Sequence, residues 1–366
     1  MTEPFAAEPF AAEPFAALSF AALLERLRPA LEQALIHSWE SARRQHAGFG
    51  LAVAAPLEAA RELCLRGGKR LRAALVVVGY RVAGGGADLA PCLPVCCAVE
   101  LLHAYFLIHD DWMDQDELRR GGPAVHAALA RQFASVHLGA AGAVLAGDYT
   151  LALATRELTH TDLAPERRAA VLARFVAMQL DAVVGQQLDV LGSSPQGTSS
   201  APGNLEEVYR LKTGSYTVLG PLELGAALCA APPQLSSALE AFAVPLGIAF
   251  QLRDDLLGAF GDPAHTGKPR GSDLLAGKRT LLLQAALADA DARAALVPVV
   301  GNAGAPAAAV ERALAAIAAC GARASVEARI GELTQRARAA LSRDTFDSAS
   351  RGLLEGVLSA LVDRGL

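Results

Sequence analysis

The chain has 366 residues, enough for one large domain or two ordinary ones. Hydrophobic residues make up 52% and aromatic residues only 5%, so the apolar content is dominated by small and aliphatic residues such as Ala and Leu, which favours an all-α fold. The net charge of −5 gives no overall basic character, and we expect no nucleic-acid partner.

The cysteines and the apolar runs indicate the compartment. The six cysteines form no paired CxxC framework, so we interpret them as buried apolar residues in a reducing cytoplasm. No uncharged apolar run of the roughly 18 residues that span a bilayer is evident, so we expect no transmembrane segment. The first residues also lack a basic segment followed by an apolar core, and we expect no secretory signal.

Residues 1–17 repeat the sequence Glu-Pro-Phe-Ala-Ala three times. A proline in every unit blocks a continuous helix, so we predict a disordered tail. From Leu18 onward apolar residues recur at three- and four-residue steps and predict a helix. Pro56 is expected to open the next helix as a first-turn proline.

Further helical patterns are separated by loops. Helices are predicted over residues 94–108, 125–131, 167–190, 205–228 and 235–260, with loops at 121–123, 192–203 and 261–273. The remaining residues form Ala-rich amphipathic helices. Because no long linker divides residues 18–366, we predict a single helical domain.

An acidic cluster follows the helix predicted over 94–108. Asp110, Asp111, Asp114 and Asp116 lie within seven residues, and in a helix Asp110 and Asp114 share one face. Like charges this close require a counter-ion, and Mg²⁺ is the usual one beside phosphates. The alternative is a solvated acidic helix end.

A second acidic pair and several basic clusters favour the metal interpretation. Asp254 and Asp255 end another apolar helix, and basic residues cluster at 69–72, 119–120 and 278–279. Carboxylate-bound metal ions and Lys or Arg side chains together suit a diphosphate substrate. The Gly67-Gly68-Lys69 sequence lacks the spacing and preceding strand of a P-loop.

As a set, these motifs resemble the trans-isoprenyl diphosphate synthases, or polyprenyl synthetase family. The matching stretches cover roughly residues 60–285 in the family's order. They are 67–72, 100–103, 110–114, 119–121, 147–148, 185–186, 212–213, 250–251, 254–255, 267–269 and 277–280.

The resemblance implies an all-α fold around a central cavity, usually a homodimer. It implies Mg²⁺-dependent head-to-tail condensation of isopentenyl diphosphate with an allylic diphosphate, such as dimethylallyl, geranyl or farnesyl diphosphate. The allylic C–O bond ionises, the isopentenyl double bond attacks the cation and a proton leaves, with the released diphosphate as the base. No protein nucleophile is needed.

The resemblance also assigns residues. Mg²⁺, in three ions with substrate bound, would be held by Asp110, Asp114 and Asp254, with Asp111, Asp255 and Lys212 completing the catalytic set. Isopentenyl diphosphate would be bound by Lys69, Arg72, His103 and Arg120. The allylic diphosphate would be bound by Arg119, Lys212, Thr213, Gln251, Lys268 and Lys278.

One position departs from the family pattern. The second motif often reads DDxxD, but here Gly258 stands where the last Asp is expected, with Asp262 and Asp273 downstream and off the spacing. Because the first Asp is the expected ligand, we predict that activity survives. A non-catalytic partner subunit is the alternative, and a class I terpene cyclase is a further one that would lack the 67–72 motif and the second Asp pair.

Tyr105 and Phe106 bear on product length. They precede Asp110 by five and four residues, so they project below the metal site, where two bulky rings should block long products. An ordinary core role for both is equally natural. The first motif lacks the two-residue insertion of typical bacterial farnesyl synthases, which favours a C20 product over C15. We therefore predict a short-chain product, geranylgeranyl diphosphate, with farnesyl diphosphate as the alternative.

Overall fold

The structure, a computed structural model, describes residues 19–193, 204–262 and 270–363. The repeat tail, Lys268 and all but the first two residues of the predicted 192–203 loop lie outside what can be fully described. The regular secondary structure of the described residues is helical apart from a hairpin of two-residue strands, Leu118–Arg119 (β1) and Gly122–Pro123 (β2), which includes the predicted loop 121–123. The predicted all-α fold is confirmed.

The helices are numbered here in chain order. They are α1 (Phe20–Gln45), α2 (Leu51–Leu65), α3 (Leu71–Val82), α4 (Leu93–Met113), α5 (Val125–Gln132), α6 (Val136–Thr159), α7 (Pro165–Ser193), α8 (Leu205–Tyr209), a π-helix (Arg210–Leu219), α9 (Gly220–Leu228), α10 (Pro233–Phe260), α11 (Ser272–Leu275), α12 (Leu281–Leu287), α13 (Ala290–Leu296), α14 (Ala307–Ala319), α15 (Ala322–Ala340) and α16 (Ser348–Val362). A short 3₁₀ turn, Ala47–Phe49, precedes α2.

The chain divides into two compact units. The first unit contains the described residues up to Val176 with Gly220–Ser236 and Asp347–Leu353. The second contains Ala177–Leu219, Ser237–Phe346 and the described residues from Leu354 onward. The prediction of a single domain stays a prediction.

The first two helices begin as local chemistry dictates, with one correction. Ser19 caps α1, accepting a hydrogen bond from the Ala22 N–H at 3.2 Å. The expectation that Pro56 opens α2 is wrong, because α2 begins at Leu51 and Pro56 lies inside it. The break comes instead from Gly50, whose φ of 67° is easy for glycine, and its carbonyl accepts from the Ala54 N–H at 3.0 Å.

In the first unit, α4 packs against α6, and α3 packs against α9. Close backbone approach explains the second contact, because a Cβ at Gly79 would collide with the Leu222 carbonyl, and a Cβ at Gly225 with the Val76 carbonyl. Most residues of α3 and α4 are buried. The ends of these two helices, which carry the predicted basic and acidic motifs, are therefore held by a packed core.

In the second unit, the helix predicted over 205–228 is interrupted. Residues 210–219 adopt a π-helix, whose i→i+5 bonding inserts an extra residue per turn. Two close backbone contacts flank it. A Cβ at Gly185 of α7 would collide with the Lys212 backbone, and a Cβ at Gly247 of α10 would lie 2.7 Å from the Gly214 Cα.

Four helices, α4, α6, α7 and α10, are long and apolar enough to cross a bilayer by length and composition alone. In the apolar windows of α4 and α10, 61% and 67% of the residues are buried inside the protein. In α6 and α7 the corresponding shares are 39% and 28%, so these two helices present apolar residues at the surface. All six cysteines are free thiols.

Candidate active site

A left-handed turn joins α2 to α3 and carries the predicted basic motif. Gly67 and Gly68 have φ values of 63° and 118°. Arg70 has a left-handed φ of 52°, which residues other than glycine rarely adopt. Lys69 is exposed, whereas Arg72 is partly buried in the first turn of α3. The turn therefore places Lys69 and Arg72 in different environments.

A buried ion pair holds this turn. The Arg70 guanidinium donates from Nη1 to Glu100 Oε2 at 3.0 Å and from Nη2 to the Cys64 carbonyl at 3.1 Å. Both side chains of the pair are no more than 3% exposed. Glu100, on α4, also accepts from the Ala73 N–H at 3.4 Å, so one carboxylate fixes both the turn and the start of α3.

Arg120 and His103 bring the hairpin onto this turn. Arg120 donates from Nη1 to the Gly67 carbonyl at 3.3 Å, and its Nη2 lies 3.1 Å from His103 Nε2. Burial, with Arg72 and Arg120 nearby, holds the pKa of His103 well below its ordinary value of 6.5. The imidazole is therefore neutral and accepts the Arg120 hydrogen bond. The structure thus brings together Arg72, His103 and Arg120, three of the residues predicted to bind isopentenyl diphosphate.

The first Asp motif lies at the carboxyl end of α4. Asp110 and Asp114 are partly exposed, and the Asp114 N–H donates to the Asp110 carbonyl at 2.8 Å as the helix ends. Asp111 is fully buried, and burial raises its pKa to about 6. Arg119 donates from Nε to Asp111 Oδ1 at 2.7 Å and from Nη2 to Asp116 at 3.1 Å. Asp111 therefore holds Arg119 in place.

The two aromatic residues predicted to limit product length are in contact. The rings of Tyr105 and Phe106 lie 5.0 Å apart between centroids, and the Tyr105 ring meets His109 edge to face at 4.6 Å. All three side chains are partly buried. They form a small aromatic group one turn before Asp110.

In the second unit, the π-helix carries Lys212 and Thr213. Lys212 Nζ donates to Asp189 Oδ2 of α7 at 2.5 Å. The close approach of Gly185, one turn earlier on α7, allows this pairing. Asp189 follows the Gly185-Gln186 pair that matches the family motif. Its contact with Lys212 is not predicted from the sequence.

A hydrogen-bonded chain organises the second Asp motif. Asp255 is buried and accepts from the Tyr209 hydroxyl at 2.6 Å and from Gln251 Nε2 at 2.8 Å. The Gln251 Oε1 in turn accepts from the Thr213 hydroxyl at 2.6 Å. Tyr209 also accepts from the Leu281 N–H at 2.9 Å. The structure therefore brings together Thr213, Gln251 and Asp255 as one array.

Burial acts on both ends of this array. It raises the pKa of Asp255 to about 7 against the hydrogen bonds from Tyr209 and Gln251, with Asp273 and Asp254 adding to the rise. Burial and the Asp255 carboxylate also raise the pKa of Tyr209, so its hydroxyl remains a donor. Asp254 and Lys278 are partly buried, and Lys268 lies outside the described residues.

The donor set of both motifs suits a hard divalent cation. Among the described residues, no three His, Cys, Asp or Glu side chains converge to enclose a metal ion. Mg²⁺ is commonly held by one or two carboxylates together with substrate phosphates and water. The partly exposed carboxylates of Asp110, Asp114 and Asp254 fit that pattern, whereas those of Asp111 and Asp255 are buried.

Comparison with known proteins decides the family. The family model described as polyprenyl synthetase matches residues 55–317. The chain belongs to the polyprenyl synthetase family. It is accordingly a short-chain prenyltransferase of isoprenoid biosynthesis, as the motifs predicted.

Named relatives agree with this assignment. The chain is 34% identical over 307 residues to a geranylfarnesyl diphosphate synthase of Aeropyrum pernix, covering 81% of this chain and 91% of the relative. It is 38% identical over 221 residues to a farnesyl diphosphate synthase of Geobacillus stearothermophilus, covering 58% of this chain and 69% of the relative.

The solved structure of a geranylgeranyl pyrophosphate synthase from Corynebacterium glutamicum, complexed with isoprenyl diphosphate and magnesium, superimposes with a TM-score of 0.86. The two chains are 32% identical, and the match covers 95% of this chain and all of that one. Relatives of similar identity are thus named for different products.

Proposed function

We propose that this prenyltransferase condenses isopentenyl diphosphate head-to-tail with an allylic diphosphate and releases diphosphate. The observation that carries the proposal is the environment of Arg120. Its hydrogen bonds go to two neutral acceptors, the Gly67 carbonyl and His103, so its positive charge is left for an anion. With Lys69 and Arg72 on the adjoining turn, this group suits the diphosphate of isopentenyl diphosphate.

The remaining residues are assigned to the allylic substrate and the metal. We propose that Asp110 and Asp114 hold Mg²⁺, that Asp254 holds a third ion, and that Arg119, Lys212, Thr213, Gln251, Lys268 and Lys278 bind the allylic diphosphate. The magnesium in the related Corynebacterium glutamicum structure supports this cofactor. When bound, Mg²⁺ neutralises the charge of the leaving diphosphate.

The chain's own side chains prepare this reaction without a protein nucleophile. Arg119 is held by Asp111, so the guanidinium is oriented before substrate arrives. Thr213 and Gln251 are ordered by Asp255, so their side chains are fixed before the allylic diphosphate arrives. The proton lost in the last step goes to the released diphosphate.

We propose geranylgeranyl diphosphate as the product, with farnesyl diphosphate as the alternative. The contact between the Tyr105 and Phe106 rings supports a bulky floor one turn before Asp110. One relative is named for geranylfarnesyl diphosphate and another for farnesyl diphosphate, so product length is decided by experiment.

Product analysis tests the proposal. Purified protein is incubated with Mg²⁺, isopentenyl diphosphate and, separately, dimethylallyl, geranyl and farnesyl diphosphates, and the dephosphorylated alcohols are sized. A C20 product is expected, and the Tyr105→Ala/Phe106→Ala variant should extend it. Phe49→Ala, at an exposed ring outside α4, is the matched control. Products well beyond C20 from the unmodified enzyme would contradict the aromatic floor, and no elongation with any starter would contradict the function.

We further propose that the enzyme is a cytoplasmic homodimer. Large apolar side chains are exposed along α6, where Val136 and Leu145 are 84% and 66% exposed, and along α7, including Leu180, Val183 and Val184. Exposed apolar side chains of this kind indicate an interaction surface in each unit, and a second copy of the chain is the occupant that the family resemblance implies. Sedimentation analysis should give a dimer, and Leu145→Glu should give a monomer. The six free thiols support a reducing compartment.

A further inference from the structure

The missing carboxylate of the second motif has a spatial counterpart. Asp254 and Gly258 are four residues apart on α10, so they share one face of the helix. A side chain at position 258 would therefore begin one turn beyond Asp254. In the DDxxD pattern, this is the place of the third carboxylate.

The carboxylate of Asp273 occupies that place. A Cβ added to Gly258 would collide with Asp273 Oδ2 and lie 2.7 Å from its Cγ. Real Cβ atoms do not approach other heavy atoms so closely, so Gly258 leaves room for this side chain. The position that lacks a carboxylate in sequence is thus filled by a carboxylate from residue 273.

Backbone hydrogen bonds hold Asp273 there. The Gly271 N–H donates to the Ala259 carbonyl at 3.2 Å, which joins the start of α11 to the end of α10. The Lys278 N–H donates to the Asp273 carbonyl at 2.9 Å. The segment that places the Asp273 carboxylate therefore also places Lys278, which we assign to the allylic diphosphate.

The electrostatics agree with this geometry. Asp273 and Asp254 both act on Asp255, since each contributes to raising its pKa. The hydrogen bonds of Asp255 run to Tyr209 and Gln251. Asp254 and Asp273 are partly exposed, whereas Asp255 is buried, so those two are the members of the group that solvent and ions reach.

We propose that Asp273 replaces the third Asp of the second motif and assists Asp254 in holding Mg²⁺. The carboxylate comes from α11, through space, and not from α10 at the usual spacing. This inference rests on the proposed function, because it assigns Asp273 to the Mg²⁺ of that reaction. It accounts for Gly258 without requiring a non-catalytic subunit.

A swap of the carboxylate between the two positions tests the proposal. Mn²⁺ binding in the presence of inorganic diphosphate is followed by electron paramagnetic resonance, and folding is followed by thermal unfolding. Asp273→Asn should weaken the binding of one Mn²⁺ by about 10-fold to 100-fold, as loss of a supporting carboxylate does. Gly258→Asp alone should lower the melting temperature, because its side chain collides with Asp273.

The double variant Gly258→Asp/Asp273→Ala returns one carboxylate to the site from α10, and Mn²⁺ binding should recover to within a few-fold of the unmodified protein. It also carries the test if Asp273→Asn fails to fold. Asp344→Asn, at an exposed carboxylate of the same unit, is the matched control. Unchanged Mn²⁺ binding in Asp273→Asn would overturn the proposal, as would loss in that variant without recovery in the double variant.

Elongation assays on the unmodified protein separate the two claims. An unmodified protein that elongates no substrate, but whose Mn²⁺ binding still depends on Asp273, would refute the proposed function and support the role of Asp273. An active enzyme whose Mn²⁺ binding does not change in Asp273→Asn would support the proposed function and refute the role of Asp273.

Discussion

The two Asp motifs share a burial pattern but differ in what the buried carboxylate holds. In each motif the first Asp is partly exposed and the second is buried, as Asp111 and Asp255 show. Burial raises the pKa of Asp111 to about 6 and that of Asp255 to about 7. Asp111 faces the cationic Arg119, whereas Asp255 faces the neutral donors Tyr209 and Gln251.

This difference separates a network of charged side chains around Asp111, in the first unit, from a network of neutral donors around Asp255, in the second. The first unit also buries the Arg70–Glu100 pair, so cationic side chains are fixed there by carboxylates. In the second unit the buried carboxylate instead orders the Gln251 and Thr213 oxygens. Breaking a buried charge pair strands an ion, whereas breaking a neutral network strands only a polar group, so mutations in the two networks should differ in cost.

The largest effect is expected for Asp111→Asn. Removing the negative charge leaves the mostly buried Arg119 without its main partner, which should lower the free energy of unfolding by about 3–5 kcal/mol. Activity should fall as Arg119 loses its orientation. Urea denaturation of this variant should be compared with Asp116→Asn, which removes the more exposed partner of Arg119 and should cost less than about 1 kcal/mol. Equal losses in the two variants would contradict the assignment of Asp111 as the residue that holds Arg119.

Glu100→Gln should cost nearly as much. It leaves the Arg70 guanidinium buried opposite a neutral group, so we expect a loss of about 3 kcal/mol in the free energy of unfolding. Because Glu100 fixes the turn that carries Lys69 and Arg72, the KM for isopentenyl diphosphate should rise more than kcat falls. Replacing both members of the pair, in Arg70→Met/Glu100→Leu, should recover stability but leave the KM high. A KM that recovers with stability would show that the pair is only structural.

Tyr209→Phe tests the neutral network and should cost less. The change leaves the Asp255 Oδ2 and the Leu281 N–H without their shared partner, which should lower the free energy of unfolding by about 1–3 kcal/mol. Activity should fall because Asp255 no longer fixes Gln251. Tyr149→Phe, at a partly buried ring that packs edge to face on His46, is the control for loss of a hydroxyl. A loss as large as that of Asp111→Asn would erase the distinction between the networks.

The same comparison shows what could be predicted from sequence. Periodicity and helix-forming composition predicted the all-α fold, and the ordered motifs predicted the family. Asp110, Asp114 and Asp254 could be proposed as metal ligands because carboxylates at this local spacing suggest that chemistry. Features that depend on a single helix or a single turn could therefore be predicted from the sequence.

The contacts between helices that hold these side chains could not be predicted from the sequence, for physical reasons. Arg70 and Glu100 are 30 residues apart, and no local pattern shows that two charges of different helices will be buried together. Tyr209 immediately precedes the π-helix, whose extra residue per turn is invisible to a period of 3.6. Asp273 replaces position 258 only through the contact between α11 and α10, so the sequence showed a gap where the structure shows a carboxylate.

His103 is a neutral side chain among the arginines of the first unit. Its pKa is depressed in the folded state, so below the ordinary value of 6.5 the unfolded chain takes up a proton that the folded chain does not. Stability from this group is therefore present at pH 7.5 and decreases as the pH falls. Between pH 7.5 and pH 6.0 the loss should be on the order of 1 kcal/mol.

His103→Gln keeps a neutral side chain that can accept a hydrogen bond from Arg120, and it removes this titration. Urea denaturation at the two pH values should therefore show that the difference in unfolding free energy between the unmodified enzyme and the variant shifts by on the order of 1 kcal/mol in favour of the variant at pH 6.0. His160→Gln, at an exposed histidine that follows the last residue of α6, is the control for loss of an imidazole. An unchanged difference in unfolding free energy between His103→Gln and the unmodified enzyme at the two pH values would mean that His103 has the same pKa in the folded and unfolded states. The arginines around it would then not hold it neutral, and Arg120 would face a cation at acidic pH in place of a hydrogen-bond acceptor.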